Sequence, residues 1–217
     1  MREIFLGVES GSADQIRRYG KSATATQNMR AINLLNNLGI QTDIGFIMFD
    51  PEMSLEDLKY NVAFIRHAGL ANHDARMNKK VRIEPFTEFE QEMRERGIIG
   101  RELDINDVTF PYEMQDERVR LVYGRFSAWE RIAEKVVYRL QARSMGECVS
   151  EEERLRDKRY LGFFRQLDLE FLEACIEAVE NGIEEFERRL TGQLEAFSER
   201  RAVLIANIPA KASLCRS

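Results

Sequence analysis

This 217-residue chain has little of what most metal and redox sites are built from, with only three cysteines and two histidines. Cys148, Cys175 and Cys215 are odd in number and far apart. No pair has the short spacing that closes a zinc or iron–sulfur site on one loop. The expectation is three reduced thiols, with Cys175 on an apolar helix face. His67 and His73 flank a loop, and two imidazoles are too few for a histidine-rich metal site. No apolar run approaches the roughly 18–20 residues needed to span a bilayer. The opening MREIFLGVES lacks the basic-then-apolar order of a secretory signal. Positive charge is not in excess either: the net charge of -5 argues against a general electrostatic grip on nucleic acid or an anionic membrane, and leaves room only for a local basic patch. Together these absences predict a cytoplasmic, soluble chain.

What is present suits a globular protein. At 44% hydrophobic and 32% charged residues, the chain can bury a full core for one domain or two small ones. Its first half alternates. Ile4 to Val8 reads as a buried strand. Ser12 can cap a short helix over 13–19, stopped by Gly20. A second helix, 26–38, carries Met29, Ile32, Leu35 and Leu38 at a 3–4 spacing and ends at Gly39. Residues 40–49 read as a strand broken by Pro51. Ser54 and Asp57 have the spacing of a capping box for a helix bearing Leu55, Leu58, Val62 and Ile65, ended by Gly69. Val81 to Pro85 is expected to be a short strand, and EFEQEMRERG a helix closed by Gly97. Strands alternating with helices imply a parallel sheet with helices outside it. In such sheets the chemistry sits at the carboxyl ends of the strands. Here those ends read GVESGS, IMFDPEMS and RIEPFTEFE.

The second half has a helical texture. The apolar residues Val119, Val122, Phe126, Trp129, Ala133, Val136 and Leu140 mark one long amphipathic helix. A second runs from Ser150 to about residue 200, with a 3–4 rhythm from Leu169 to Phe197. Two such stripes can pair as a hairpin or cover another surface. Phe126 and Trp129, at helical spacing, are expected to be packing residues. The joint is expected near 104–112, which includes Pro111, so the chain divides into residues 1–104 and a helical extension over 113–217.

Three stretches in order carry a family resemblance. The strand ending GVESGS is followed by a lysine and a helix leading to LGI. GFIMFDPEMSLEDL is similar to a strand and turn written G-F-I-x-G-x-P-E-T-x-E. RIEPFTEFEQEMRERGII resembles a P-[YF]-x-G-T-x-[LF] segment. Over residues 2 to 100 the chain resembles the later half of a radical S-adenosylmethionine (radical SAM) domain, nearest the branch that often carries a cobalamin-binding domain upstream. The resemblance implies an α/β fold, a partial (β/α) TIM-like barrel, followed here by the α-helical extension. It implies S-adenosyl-L-methionine as cofactor, cleaved reductively by a [4Fe–4S] cluster to a 5′-deoxyadenosyl radical. The cluster is held by a C-x3-C-x2-C loop that this sequence does not contain. The resemblance aligns residue 1 with the family's fourth strand. The iron ligands and any cobalamin domain are therefore expected before Met1, and the chain alone is expected to be inactive. Two departures fall on the substrate side: Phe49 and Asp50 stand where relatives have glycine and a small residue, and Glu88 stands near a common glycine-threonine pair.

The resemblance also implies roles. Glu9 and Ser10 match a strand-end polar pair that reaches the methionine or ribose part of the cofactor. A carboxylate can accept from an ammonium or from hydroxyls, and a strand end fixes its direction. The same residues would equally serve to tie down the next loop. Lys21 aligns with a base that meets the cofactor carboxylate, or is a solvated lysine. Ile47 either flanks adenine or belongs to the core. Gly7 and Gly11 allow close backbone approach or form a plain turn. Asp50 and Glu84, at strand ends, point toward the barrel mouth as substrate contacts able to handle a proton, or cap loops. The expected partners are the small-molecule cofactor, a substrate of unknown class, and either a second copy of the chain or the N-terminal half. A reading from another class remains: a non-catalytic helical dimerisation or interaction module derived from that barrel.

Overall fold

The computed structural model describes residues 3–70, 77–146 and 149–209. His73, Cys148 and Cys215 lie outside them, as does the tail from residue 210. Strand β1 (Glu3–Glu9) and strand β2 (Gln41–Phe46) pair in parallel, joined by helices α1 (Ala13–Arg18) and α2 (Ala25–Asn37). Helices α3 (Leu55–His67) and α4 (Glu88–Glu95) follow. The rest is helical: α5 (Glu117–Met145), α6 (Glu151–Glu180) and, after a 3-10 turn, α7 (Phe186–Ala206).

The local signals explain most element starts. Ser12 accepts from the Gln15 amide and caps α1. Full capping boxes open α2 (Thr24 with Gln27), α3 (Ser54 with Asp57) and α6 (Ser150 with Glu153). Each box satisfies two amide donors that would otherwise lack partners. Gly20, Gly39, Gly69 and Gly97 each lie just past a helix, as expected.

Two expectations are corrected. Val81 to Pro85 forms no strand. The Ile83 amide donates to the Thr109 hydroxyl at 2.9 Å and its carbonyl accepts from the Phe110 amide at 2.9 Å. Pro85 has no amide to extend a ladder. A single parallel bridge, Phe49 to Lys80, remains of that pairing. Among the described residues the sheet therefore has two strands, and the chain is mostly helical with one parallel β-α-β unit. The second correction is in the helical half. The helix expected over 150–200 is two helices, because Gly182 takes φ +116° between α6 and α7, a conformation closed to other residues.

The core binds the two halves together. Val8 of β1, Ile32 of α2, Ile44 and Phe46 of β2 and Leu58 of α3 share one apolar cluster with Val122, Trp129, Phe171 and Val179 of α5 and α6. Phe126 and Trp129 are packing residues there, as their spacing predicted, and Trp129 stacks on Phe171 at 4.3 Å. Cys175 is buried on the apolar face of α6, and burial pushes its thiol up to about 12. Ion pairs stitch the outside: Lys59 on α3 meets Glu180 of α6 at 2.7 Å, and Arg66 donates to Glu173 through Nε at 2.7 Å. Among the described residues no helix is long and apolar enough to cross a membrane.

Candidate functional site

The period of a strand sorts β1 and β2 into two faces. Val8, Ile44 and Phe46 point into the core. Phe5, 68% exposed, and Gly7 lie on the other face of β1; their register partners on β2 are Asp43 and Gly45. Gly7 and Gly45 stand directly opposite one another. Side by side without Cβ atoms, they leave a flat backbone floor on the open face of the sheet. A Cβ on Gly45 would lie 2.8 Å from Cζ of Phe5, and one on Gly7 would lie 2.8 Å from Oε1 of Glu9. Phe5 and Glu9 thus lean over the glycines.

At the carboxyl end of β1 the register shifts between Gly7 and Glu9. Glu9 takes φ +65°, rare for a residue with a side chain. Strain of this kind collects at functional sites. The bulge turns the Glu9 carboxylate toward Lys21, whose Nζ lies 3.1 Å from Oε1. Both side chains reach solvent. The Glu9 carbonyl accepts from the Ile47 amide at 2.7 Å, so half-buried Ile47 is tied to the same strand end. Glu9, Lys21 and Ile47 are therefore brought together around the glycine floor.

Ser10 is placed elsewhere, in the interior with no exposed surface. Its hydroxyl lies 2.7 Å from both Gln15 Oε1 and Asn61 Oδ1 and donates to one of them, while accepting from the Ser12 amide at 2.8 Å. Asn61 of α3 also accepts from the Gly11 amide at 2.7 Å and donates to the carbonyl of Met48 at 3.3 Å. Gly11 is needed here for closeness. A Cβ would sit 2.7 Å from the Tyr60 carbonyl oxygen and closer still to Cβ of Phe64.

Asp50 is also interior. It accepts from Arg18 and from the Tyr19 hydroxyl, both at 3.0 Å, and from the Glu52 amide at 2.8 Å. Burial, followed by the Asp50 charge, raises the Tyr19 hydroxyl far above its ordinary value, so Tyr19 stays a donor. Asp57 shares Arg18 with Asp50 and accepts from the Ser12 hydroxyl and from Ser54. Burial opposes its charge, but these hydrogen bonds and Arg18 hold the carboxyl below its usual range. Glu84 is exposed and lies 3.7 Å from Arg82. Asp50 and Glu84 thus have separate partners.

Gln15, Arg18, Tyr19, Asp57 and Asn61 form the polar support of the strand ends, and sequence reading singled out only Asp57, as a cap. One signal was available for Asn61. It interrupts the apolar stripe of Leu58, Val62 and Ile65 with an amide, and an amide on a buried face needs partners.

The chemistry of the donor set separates two groups the resemblance implies. An amino-acid zwitterion with an attached planar base suits the floor and its Glu9–Lys21 rim. A [4Fe–4S] cluster does not suit the described residues. Cys175 is buried, with its thiol held neutral, and no group of three metal-ligating side chains is present among them.

No profile of a known family matches the chain. Over 63 residues it is 54% identical to 4′-phospho-dehydrooxetanocin synthase of Priestia megaterium, a match covering 29% of this chain and 8% of that protein. Its fold is similar to that of the cobalamin-dependent S-adenosylmethionine radical enzyme OxsB. The aqua-cobalamin form superposes with a TM-score of 0.76 at 19% identity, over 97% of this chain and 38% of that one. The form with aqua-cobalamin and S-adenosylmethionine bound gives 0.68 at 22% identity, over 91% of this chain and 33% of that one. The chain therefore spans little more than a third of the solved structures it matches. Its likeness is to radical SAM proteins of the cobalamin-associated branch.

Proposed function

We propose that the open face of β1 and β2 binds S-adenosylmethionine, as the later part of a radical SAM barrel in the cobalamin-associated branch. The observation that carries this reading is the in-register Gly7–Gly45 floor, rimmed by Glu9 and Lys21. The glycine backbone accepts a flat base at van der Waals distance once the exposed Phe5 ring, which lies over Gly45, swings aside to flank it with Ile47. Glu9 receives the methionyl ammonium and Lys21 the methionyl carboxylate. The ligand's zwitterion then replaces an existing ion pair with two new ones. Splitting the Glu9–Lys21 pair costs little, since a solvent-exposed pair contributes only about 0–1 kcal/mol. The Glu9 bulge fixes the carboxylate's direction before the ligand arrives, which lowers the ordering cost of binding.

In the family resembled, the bound cofactor supplies reductive sulfonium cleavage that starts radical chemistry. The residues of this chain hold and orient it. The [4Fe–4S] cluster calls for ligands other than the described residues, and substrate and reaction type differ widely across proteins sharing this half of the fold. Asp50, bound by Arg18 and Tyr19, acts in this reading as a support of the strand end, and Glu84 as a rim residue open to substrate.

Equilibrium dialysis of the full chain against S-adenosylmethionine tests the proposal. Glu9→Gln is expected to weaken binding about tenfold, the worth of one charge-assisted hydrogen bond. Gly45→Val, which fills the floor, is expected to abolish it. No binding by the wild-type chain, or equal binding by both variants, overturns the reading.

A further inference from the structure

Far from the glycine floor, the last turns of α5, the first turns of α6 and the end of α7 enclose a cleft of roughly 150 Å³. Its polar wall is Arg139, Arg143, Arg156 and Asp157: three guanidiniums against one carboxylate. Leu140, Ile205 and Ile208 supply apolar lining. The wall is built, not incidental. Arg143 is 4% exposed, and its Nε donates to Asp157 at 2.8 Å. Among the described residues its buried Nη2 has no hydrogen-bond acceptor, and Glu153 lies 3.5 Å from it. Arg156 repeats the pattern: its buried Nε also lacks an acceptor among the described residues and lies 3.5 Å from Asp157. Arg139, one turn before Arg143 on α5, is exposed at the mouth. Even with Glu153 counted against them, the described residues of the cleft keep a net positive charge.

A buried guanidinium N–H without an acceptor is costly and rare in native proteins. Two of them in one cleft, beside a third arginine, call for the same partner: an acceptor with several oxygens and a negative charge. Guanidinium groups match carboxylate and phosphate oxygens in paired, planar fashion. The apolar residues across the cleft call for a hydrocarbon portion on the same molecule. We propose that this cleft binds a small oxyanion carrying a short apolar tail, a phosphate monoester or a carboxylate. The head is held by Arg143, Arg156 and Arg139, and the tail lies against Leu140, Ile205 and Ile208. The ligand would join the ends of three helices.

Calorimetric titration of the full chain at low salt tests this, with butyl phosphate, pentanoate, inorganic phosphate and butanol as probes. Butyl phosphate or pentanoate is expected to bind, to raise the midpoint of thermal unfolding, and to weaken as salt is added. Inorganic phosphate is expected to bind at least tenfold more weakly, and butanol not measurably. The double variant R139Q/R156Q alters two positions outside the tightly buried Arg143–Asp157 pair. With an unchanged circular dichroism spectrum, it is expected to lose at least tenfold in affinity for the tailed oxyanion. The proposal is overturned if neither tailed oxyanion binds the wild-type chain, if the double variant binds equally well, or if inorganic phosphate binds as tightly as butyl phosphate.

Discussion

Asn61 Oδ1, on the third helix, accepts the backbone N–H of Gly11 at 2.7 Å, fifty residues away along the chain. One side chain on a helix thereby holds the turn that follows the first strand. The same amide donates toward the end of the second strand, at Met48. Asn61 thereby clamps the turn that follows Glu9 to the end of the second strand.

Replacing Asn61 with Leu is expected to destabilise the fold by about 2–4 kcal/mol. The change strands the Gly11 amide and takes a donor from Gln15 Oε1 and from the Met48 carbonyl, while Ser10 and Gln15 keep each other, and buried polar groups left unpaired cost about 1–3 kcal/mol each. Urea unfolding followed by circular dichroism measures it. A loss under about 0.5 kcal/mol would show that the clamp is dispensable.

Gly11→Ala is expected to cost at least about 2 kcal/mol, as overpacking against rigid neighbours does. The added methyl meets both the Phe64 side chain and the Tyr60 carbonyl. Shortening Phe64 to Ala in the same chain should therefore rescue little, because the Cβ of residue 64, the nearest atom, and the Tyr60 carbonyl both remain. Full rescue by the double variant would place the obstruction on the ring alone.

Asp57 makes stability depend on acid in a set direction. Its carboxyl titrates below the ordinary aspartate value of 3.8 in the fold. The stabilisation is therefore present above that value and is lost as pH falls through the lowered one. The stability gap between wild type and Asp57→Asn should be widest near neutrality and shrink below about pH 4. A gap that holds constant down to pH 2 would contradict the assignment.

Cys175 is expected to resist modification. Its thiol, raised to about 12 by burial, is neutral at pH 8, and only the thiolate reacts. In a chain with Cys148 and Cys215 changed to Ser, a thiol reagent should label the unfolded protein at least about a hundredfold faster than the native one. In the other direction, stability due to the neutral thiol is retained below the unfolded value near 9 and is lost as pH rises toward 12.

The sequence made the starts of elements legible, because capping is local. Ser54 with Asp57 is read three residues apart and found as such. Trp129, Phe126 and Cys175 were legible as core because a helical stripe declares its own buried face. What was hidden depends on chain segments far apart in sequence. Val81 to Pro85 has the composition of a strand, but Thr109 and Phe110 satisfy Ile83 instead. Ser10 reads as a strand-end polar residue like Glu9, yet a bulge and the distant Asn61 turn one inward and the other outward. Arg18 and Tyr19 look like an ordinary helix end until Asp50, some thirty residues on, is folded against them.

Trp129 is the single tryptophan of the chain. Its indole N–H donates to Asp168 of the sixth helix at 2.9 Å, its ring stacks on Phe171, and the Arg201 guanidinium of the seventh helix lies 3.4 Å from the ring centroid. Intrinsic fluorescence excited at the red edge therefore comes from one spot, where three helices meet. The chain carries its own optical gauge at the centre of the helical half. Comparing that signal with the backbone's circular dichroism tells whether the two halves come apart together or in turn.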